Sequence, residues 1–285
     1  MDMNPQNRLA RRPRLLPASA AALAMALSLP AGAAPQLSFG VVPQQSALSL
    51  AQNWGPLLQN LGAQCSLELK FETAPDIPSF ERRVAAGSYD LVYFNPLHYV
   101  EFHDNPGYLP LAREKSRKLI GLIVVRSDSP VTEVGQLDGK DLALPAPEAF
   151  AASVLPRAEL ESMGVRVKIH YVGSHDSVYL GVAQGLFAAG GGINRTWQQQ
   201  QPALRDKLRI LWQTPPHTPH AFAAHPRLPA QQRQCLQRAL AGMAGKPDGE
   251  RLLQQVQLTP LAEAKDSDWD DIRKLKLRYQ PPAGR

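Results

Sequence analysis

FERRVAAGSYDLVYFNPLHYVEF, residues 80–102, decides how this chain reads. Phe80 to Ala86 has the spacing of a short helix, and Gly87 closes it in the way a C-terminal glycine does. Tyr89 to Phe94 is an apolar strand, stopped by Asn95-Pro96. A second helix is expected from Leu97 to about Phe102. Helix, strand, sharp turn and helix in so short a span is the grammar of an α/β fold.

The same grammar extends both ways. Upstream, Leu37 to Val42 reads as a strand ending at Pro43. Leu50, Trp54, Leu57, Leu58 and Leu61 set a helical stripe that Gly62 ends, and Leu67 to Phe71 is a further strand. Downstream, strands are expected at Leu119–Val125, Asp141–Leu144, Val167–Val172 and Arg209–Trp212. Helices are expected at Phe150–Met163 and Ser177–Gln184 and over most of the last third. Phe187 to Gly192 is small and glycine-rich, and the loop from Gln213 to His220 holds three prolines. The expectation is an α/β protein of two lobes joined by two crossings, near residues 123–129 and 212–225. Lobe 1 would comprise residues 34–122 and 225–285, and lobe 2 residues 123–224.

Residues 1–33 are set apart. Arg8, Arg11, Arg12 and Arg14 precede an apolar run, Leu15 to Leu29, and the small residues Ala31-Gly32-Ala33. That is the pattern of a secretory signal peptide, cleaved near Ala33. The run is shorter than the roughly 20 residues that span a bilayer. A periplasmic location follows as an expectation. The signal carries four Arg and one acid, Asp2. Of the 31 basic and 25 acidic residues, 27 and 24 then remain, a balance of +3. That mild balance suits an anion binder, and no basic run with interleaved aromatics suggests nucleic acid. Cys65 and Cys235 would sit in an oxidising compartment, as one disulfide or as two separate thiols; spacing alone does not decide. No metal-binding spacing is found, and no cofactor is expected.

Ligands of open α/β sheets bind outside the carboxyl ends of strands. That directs attention to the turns at 43–46, 94–96, 147–151 and 174–176. Ser46, with Gln44 and Gln45, lies in the first of these. Asn95 is the polar candidate in the second, in a wall with Tyr93, Phe94 and Tyr99, where core packing explains Tyr93 or Phe94 at least as well. Ala149, Phe150 and Ala151 open a helix whose free N–H groups attract an anion. His175 follows a strand and precedes a helix, so it could donate to an anion or serve as a structural residue beside an N-cap. Arg195 could grip an anion bidentately, but an exposed helix-start arginine is the simpler reading.

Four ordered segments carry a resemblance: FGVVPQQSALSLAQNWGPLLQNLG, FETAPDIPSFERRVAAGSYDLVYFNPLHYV, LIVVRSDSPVTEVGQLDGKDLALPAPEAF and VGSHDSVYLGVAQGLFAAGG. Together, over about residues 37–260, the chain resembles the PhnD-like substrate-binding proteins of phosphate, phosphite and phosphonate ABC transporters. These are a branch of the type 2 periplasmic binding proteins. The resemblance implies two lobes, a hinge, a ligand in the cleft and delivery to a membrane permease. It matches the family's strand-end aromatic to Phe94 and its histidine to His175. The hydroxyl-rich turn of phosphonate binders falls on Ala149, Phe150 and Ala151, a loss of three hydroxyls. The family's acid falls near Phe187, which makes an aminophosphonate a poor fit.

The expected function is therefore a monomeric receptor that binds a small anion of the phosphate or phosphonate class and feeds an ABC permease. A ligand sensor partnering a membrane sensor kinase would use the same cleft. An exported hydrolase built on His175 and Asp176 would need a nucleophile. Ser174 and Ser177 are near, but no G-x-S-x-G elbow exists, so catalysis is not expected.

Overall fold

The computed structural model describes residues 1–2 and 34–277. The export signal expected over residues 1–33 therefore lies, from residue 3 on, outside the described residues. The strands are β1 (Gln36–Val41), β2 (Glu68–Glu72), β3 (Leu91–Phe94), β4 (Leu109–Glu114), β5 (Gly121–Arg126), β6 (Asp141–Leu144), β7 (Lys168–Tyr171), β8 (Ala189–Ile193), β9 (Leu208–Gln213), β10 (Ala221–Ala224) and β11 (Leu261–Glu263). The helices are α1 (Ala47–Cys65), α2 (Ile77–Ala85), α3 (Pro96–Asp104), α4 (Leu155–Ser162), α5 (His175–Ala183), α6 (Asn194–Gln198), α7 (Pro202–Arg205), α8 (Ala230–Ala241), α9 (Pro247–Gln255) and α10 (Asp270–Lys274). A π-turn, Phe150–Val154, runs directly into α4.

The strands form two sheets, ordered β11-β4-β10-β3-β1-β2 and β7-β6-β8-β5-β9. In each, three neighbouring strands pair in parallel, β2-β1-β3 and β7-β6-β8, and the remaining pairings are antiparallel. The parallel strands come from strand–helix–strand units, so their carboxyl ends share one edge of each sheet. Helix α1 shows why the first unit forms. Ser46 caps it by accepting from the Ser49 N–H at 3.2 Å, and Leu50, Trp54, Leu57, Leu58 and Leu61 are buried on one face. Each such side chain contributes about 1.5–3 kcal/mol on burial. Cys65, at the end of α1, is bridged to Cys235 of α8 with Cα atoms 5.8 Å apart. Of the two cysteine states the sequence left open, the disulfide is the one present.

The chain passes between the sheets at residues 115–120 and 214–220. The first passage precedes the expected 123–129, because the apolar run there is the body of β5 and not a link. The two passages touch. Leu119 and His217 exchange backbone hydrogen bonds, both at 2.9 Å, and Gly121 N–H donates to Thr214 Oγ1 at 2.9 Å.

Strand β8 is the main departure from the sequence reading, where 187–192 stood only as a glycine-rich stretch. It is a central strand, wholly buried. A Cβ on Gly190 would lie 2.4 Å from Val178 of α5, and on Gly191 2.0 Å from the Ala152 carbonyl oxygen. On Gly192 it would meet the Tyr179 hydroxyl at 2.1 Å. Glycine is what allows α5 and the π-turn to press onto this strand.

Candidate functional site

The carboxyl ends of β1, β3, β6 and β8 face one another across the two passages, and the segments beyond them meet. His175 N–H, at the start of α5, donates to the Gln44 carbonyl at 3.1 Å. Asn95 Nδ2 donates to the Glu148 carbonyl at 3.2 Å. Arg195 donates to Gln44 Oε1. Each bond joins an element of the first sheet to one of the second.

They close over a small cavity. The first sheet's side supplies Val42, Gln44, Ile77, Asn95 and His220, and the second sheet's side supplies residues 149–152, His175 and Ile193. Phe150 and Ala151 are the first two residues of the π-turn, so their N–H groups have no intrahelical acceptor. The turn is held in place from below. The Ala151 carbonyl sits where a Cβ of Gly121 would be, and the Ala152 carbonyl where that of Gly191 would be, each 2.0 Å away.

Asn95 is fixed by its role as the cap of α3. Its Oδ1 accepts from the His98 N–H at 2.9 Å, which turns its amide nitrogen to the cleft. His98 is itself buried, 2.7 Å from Glu81. His175 is 1% exposed, and its Nδ1 lies 3.0 Å from Thr196 Oγ1, which in turn lies 3.0 Å from the Tyr179 hydroxyl. Burial, and next the Arg195 charge, lower its pKa to about 3, so the imidazole is neutral at ordinary pH. His220 is lowered well below the usual value, first by burial and then by Arg195. Its role follows from its neighbours: Gln44 Oε1 accepts from Arg195, so Gln44 Nε2 donates, and His220 Nε2 accepts at 3.0 Å.

The residues singled out from the sequence divide. Asn95, Ala149, Phe150, Ala151 and His175 line one cavity. Ser46, Phe94 and Tyr99 do not reach it. Ser46 is exposed and committed to capping α1. Phe94 points into the core beneath α3, against Phe102 and Tyr108, because neighbouring strand residues face opposite sides; Tyr93 has the cleft-facing position. Tyr99 packs its ring on Trp269 and donates its hydroxyl to Asp266 at 2.9 Å. Phe187 precedes β8 and lies under Gly181. The residues past the end of β8 are Asn194, Arg195 and Thr196. Arg195 is 7% exposed and lies over the Tyr93 ring at 5.1 Å, so the exposed reading does not hold for it. His220 drew no notice in the sequence, where only its place in a proline-rich loop marked it.

Two α/β lobes joined by a paired crossing, with strand ends meeting in a buried polar cleft, define the type 2 periplasmic binding protein architecture. The family of periplasmic substrate-binding proteins of phosphonate ABC transporters matches residues 39–269, and the chain belongs to it. Its members are the binding component of a transporter, not enzymes, and work in the periplasm with a membrane permease. A probable phosphite-binding protein, PhnD1, of Prochlorococcus marinus is 22% identical over 205 residues, covering 66% of this chain and 69% of the relative. PhnD1 solved with methylphosphonate superposes with a TM-score of 0.76 at 18% identity, over 85% of this chain and 98% of that one. A binding component of a Pseudomonas aeruginosa phosphonate transporter gives 0.79 at 17% identity, over 85% and 86%. Among the described residues, no helix is long and apolar enough to cross a membrane.

Proposed function

We propose that this protein takes up a small tetrahedral oxyanion of the phosphonate or phosphite class in the cleft bounded by Asn95, Ala149–Ala152 and His175. The carrying observation is the composition of that cavity. Its lining, among the described residues, offers backbone and side-chain donors from both lobes and no carboxylate. Loss of the three family hydroxyls leaves the first-turn N–H groups and their dipole as the oxyanion ligands. When Thr196 Oγ1 donates to His175 Nδ1, the neutral ring carries its proton on Nε2 and presents that N–H to the ligand. The lobes, divided as the sequence suggests but with passages at 115–120 and 214–220, close on the ligand because both contact it. A monomer suffices for this.

Calorimetric titration with methylphosphonate, phosphite and phosphate tests the reading. At least one binds, and His175→Ala weakens it by about 1–3 kcal/mol, roughly 5- to 150-fold. Binding unaffected by that change removes His175 from the site, and no binding by any of the three overturns the ligand class. N-terminal sequencing of periplasmic protein should begin at Ala34.

A further inference from the structure

A second small cavity adjoins the first and shares Val42 and Gln44 with it as a common wall. It is bordered by Arg195, Gln45, Asn53 and Gln199 over the rings of Tyr93 and Trp54. Arg195 is buried there with neutral partners only, the Gln44 amide oxygen and the Tyr93 face. Arg195 takes part in none of the ion pairs found within 4 Å among the described residues. A guanidinium withdrawn from water without a counter-charge is an unfavourable arrangement that an arriving anion relieves. Its planar fork matches a carboxylate in two parallel bonds, and the amides around it supply further donors.

We propose that the ligand carries a carboxylate a few bonds from its tetrahedral head, and that Arg195 binds this carboxylate in the second cavity. The inference rests on the oxyanion reading of the first cavity and adds a class to it: carboxylated phosphonates. The Gln44 amide oxygen holds the acceptor position on Arg195. The ligand carboxylate displaces it, and the Gln44 side chain swings aside to join the two cavities. A tail bearing an amino group meets the same guanidinium as a like charge and is rejected.

Isothermal titration of the purified protein with methylphosphonate, phosphonoacetate and 2-aminoethylphosphonate decides this. Replacing a neutral acceptor on Arg195 by a charged one should make phosphonoacetate bind about tenfold tighter than methylphosphonate. 2-Aminoethylphosphonate should be the weakest of the three. Arg195→Gln should abolish the preference, so that phosphonoacetate binds no more tightly than methylphosphonate, whatever both ligands lose in common with the lobe-joining bond to Gln44. Arg195→Lys, which keeps the charge without the fork, should retain part of it. Equal wild-type affinities for methylphosphonate and phosphonoacetate overturn the proposal while leaving the oxyanion site standing. An Arg195→Gln variant that keeps the wild-type preference, weakening both ligands by the same factor, overturns it too, since the carboxylate would then owe nothing to Arg195. If none of the three binds the wild-type protein, the oxyanion reading falls and takes this one with it.

Discussion

Acidification from pH 7 to pH 5 should destabilise this protein through two cleft histidines. His175 has its folded pKa lowered to about 3, and His220 is lowered well below its ordinary value. Unfolded, both return to about 6.5. Below that pH the unfolded chain binds protons that the folded chain does not, so stability falls as pH drops. The slope is about 1.4 kcal/mol per pH unit for each histidine. Over the 1.5 units from 6.5 to 5, His175 removes about 2 kcal/mol, and His220 acts in the same direction. Typical folded proteins have only about 5–15 kcal/mol to lose. Carboxylates such as Asp90, Asp266 and Asp268, held low by their arginine and backbone partners, lose their contribution only at lower pH. Urea unfolding at pH 7 and pH 5 measures the difference, and His175→Gln with His220→Gln should flatten it. Equal stability at the two pH values would refute the reasoning. So would imidazole resonances of either residue that titrate near 6.5 in the folded protein.

Replacing Cys65 and Cys235 by serine should lower stability by about 2–5 kcal/mol. The bridge spans 170 residues, which puts the loss near the top of that range. Urea melts check this, and ligand affinity should stay within about twofold because both cysteines lie away from the cleft. Gly191→Ala should push the π-turn off its seat, lowering stability by about 1–3 kcal/mol and weakening ligand binding with it; thermal melts and calorimetry read both. Asn95→Ala removes the α3 cap, at about 0.5–2 kcal/mol, together with the bond to Glu148 across the cleft. Its affinity loss should therefore exceed that of Ser46→Ala, which removes only a cap.

The strands rich in β-branched and aromatic residues, such as β1, β3 and β5, were legible because their apolar runs end at proline, asparagine or a charge. β8 was not, since its sequence AGGGI is dictated by what packs on it and not by strand preference. β10, AFAA, is too short and too alanine-rich to announce itself. The site divided in the same way. His175, Asn95 and residues 149–151 sit at strand ends, a position that sequence order reveals. Gln44, Arg195 and His220 gain their meaning from one another, across more than 150 residues of chain, and no local pattern records such a meeting. Phe94 shows the opposite error: its place in the chain was right for a ligand contact, but the strand's alternation turned it inward.

Strand β10 lies between β3 and β4, although it follows them in the chain by the whole of the second sheet. As the polypeptide emerges amino end first, β3 and β4 have no partner on that side until residue 224 appears. The segment 121–213, by contrast, holds every strand of its own sheet. Its shorter loops favour its early assembly, and β10 then closes the waiting gap. Until that moment two bare strand edges stand open, so a chaperone or a slow-folding mutant would meet this protein at that seam.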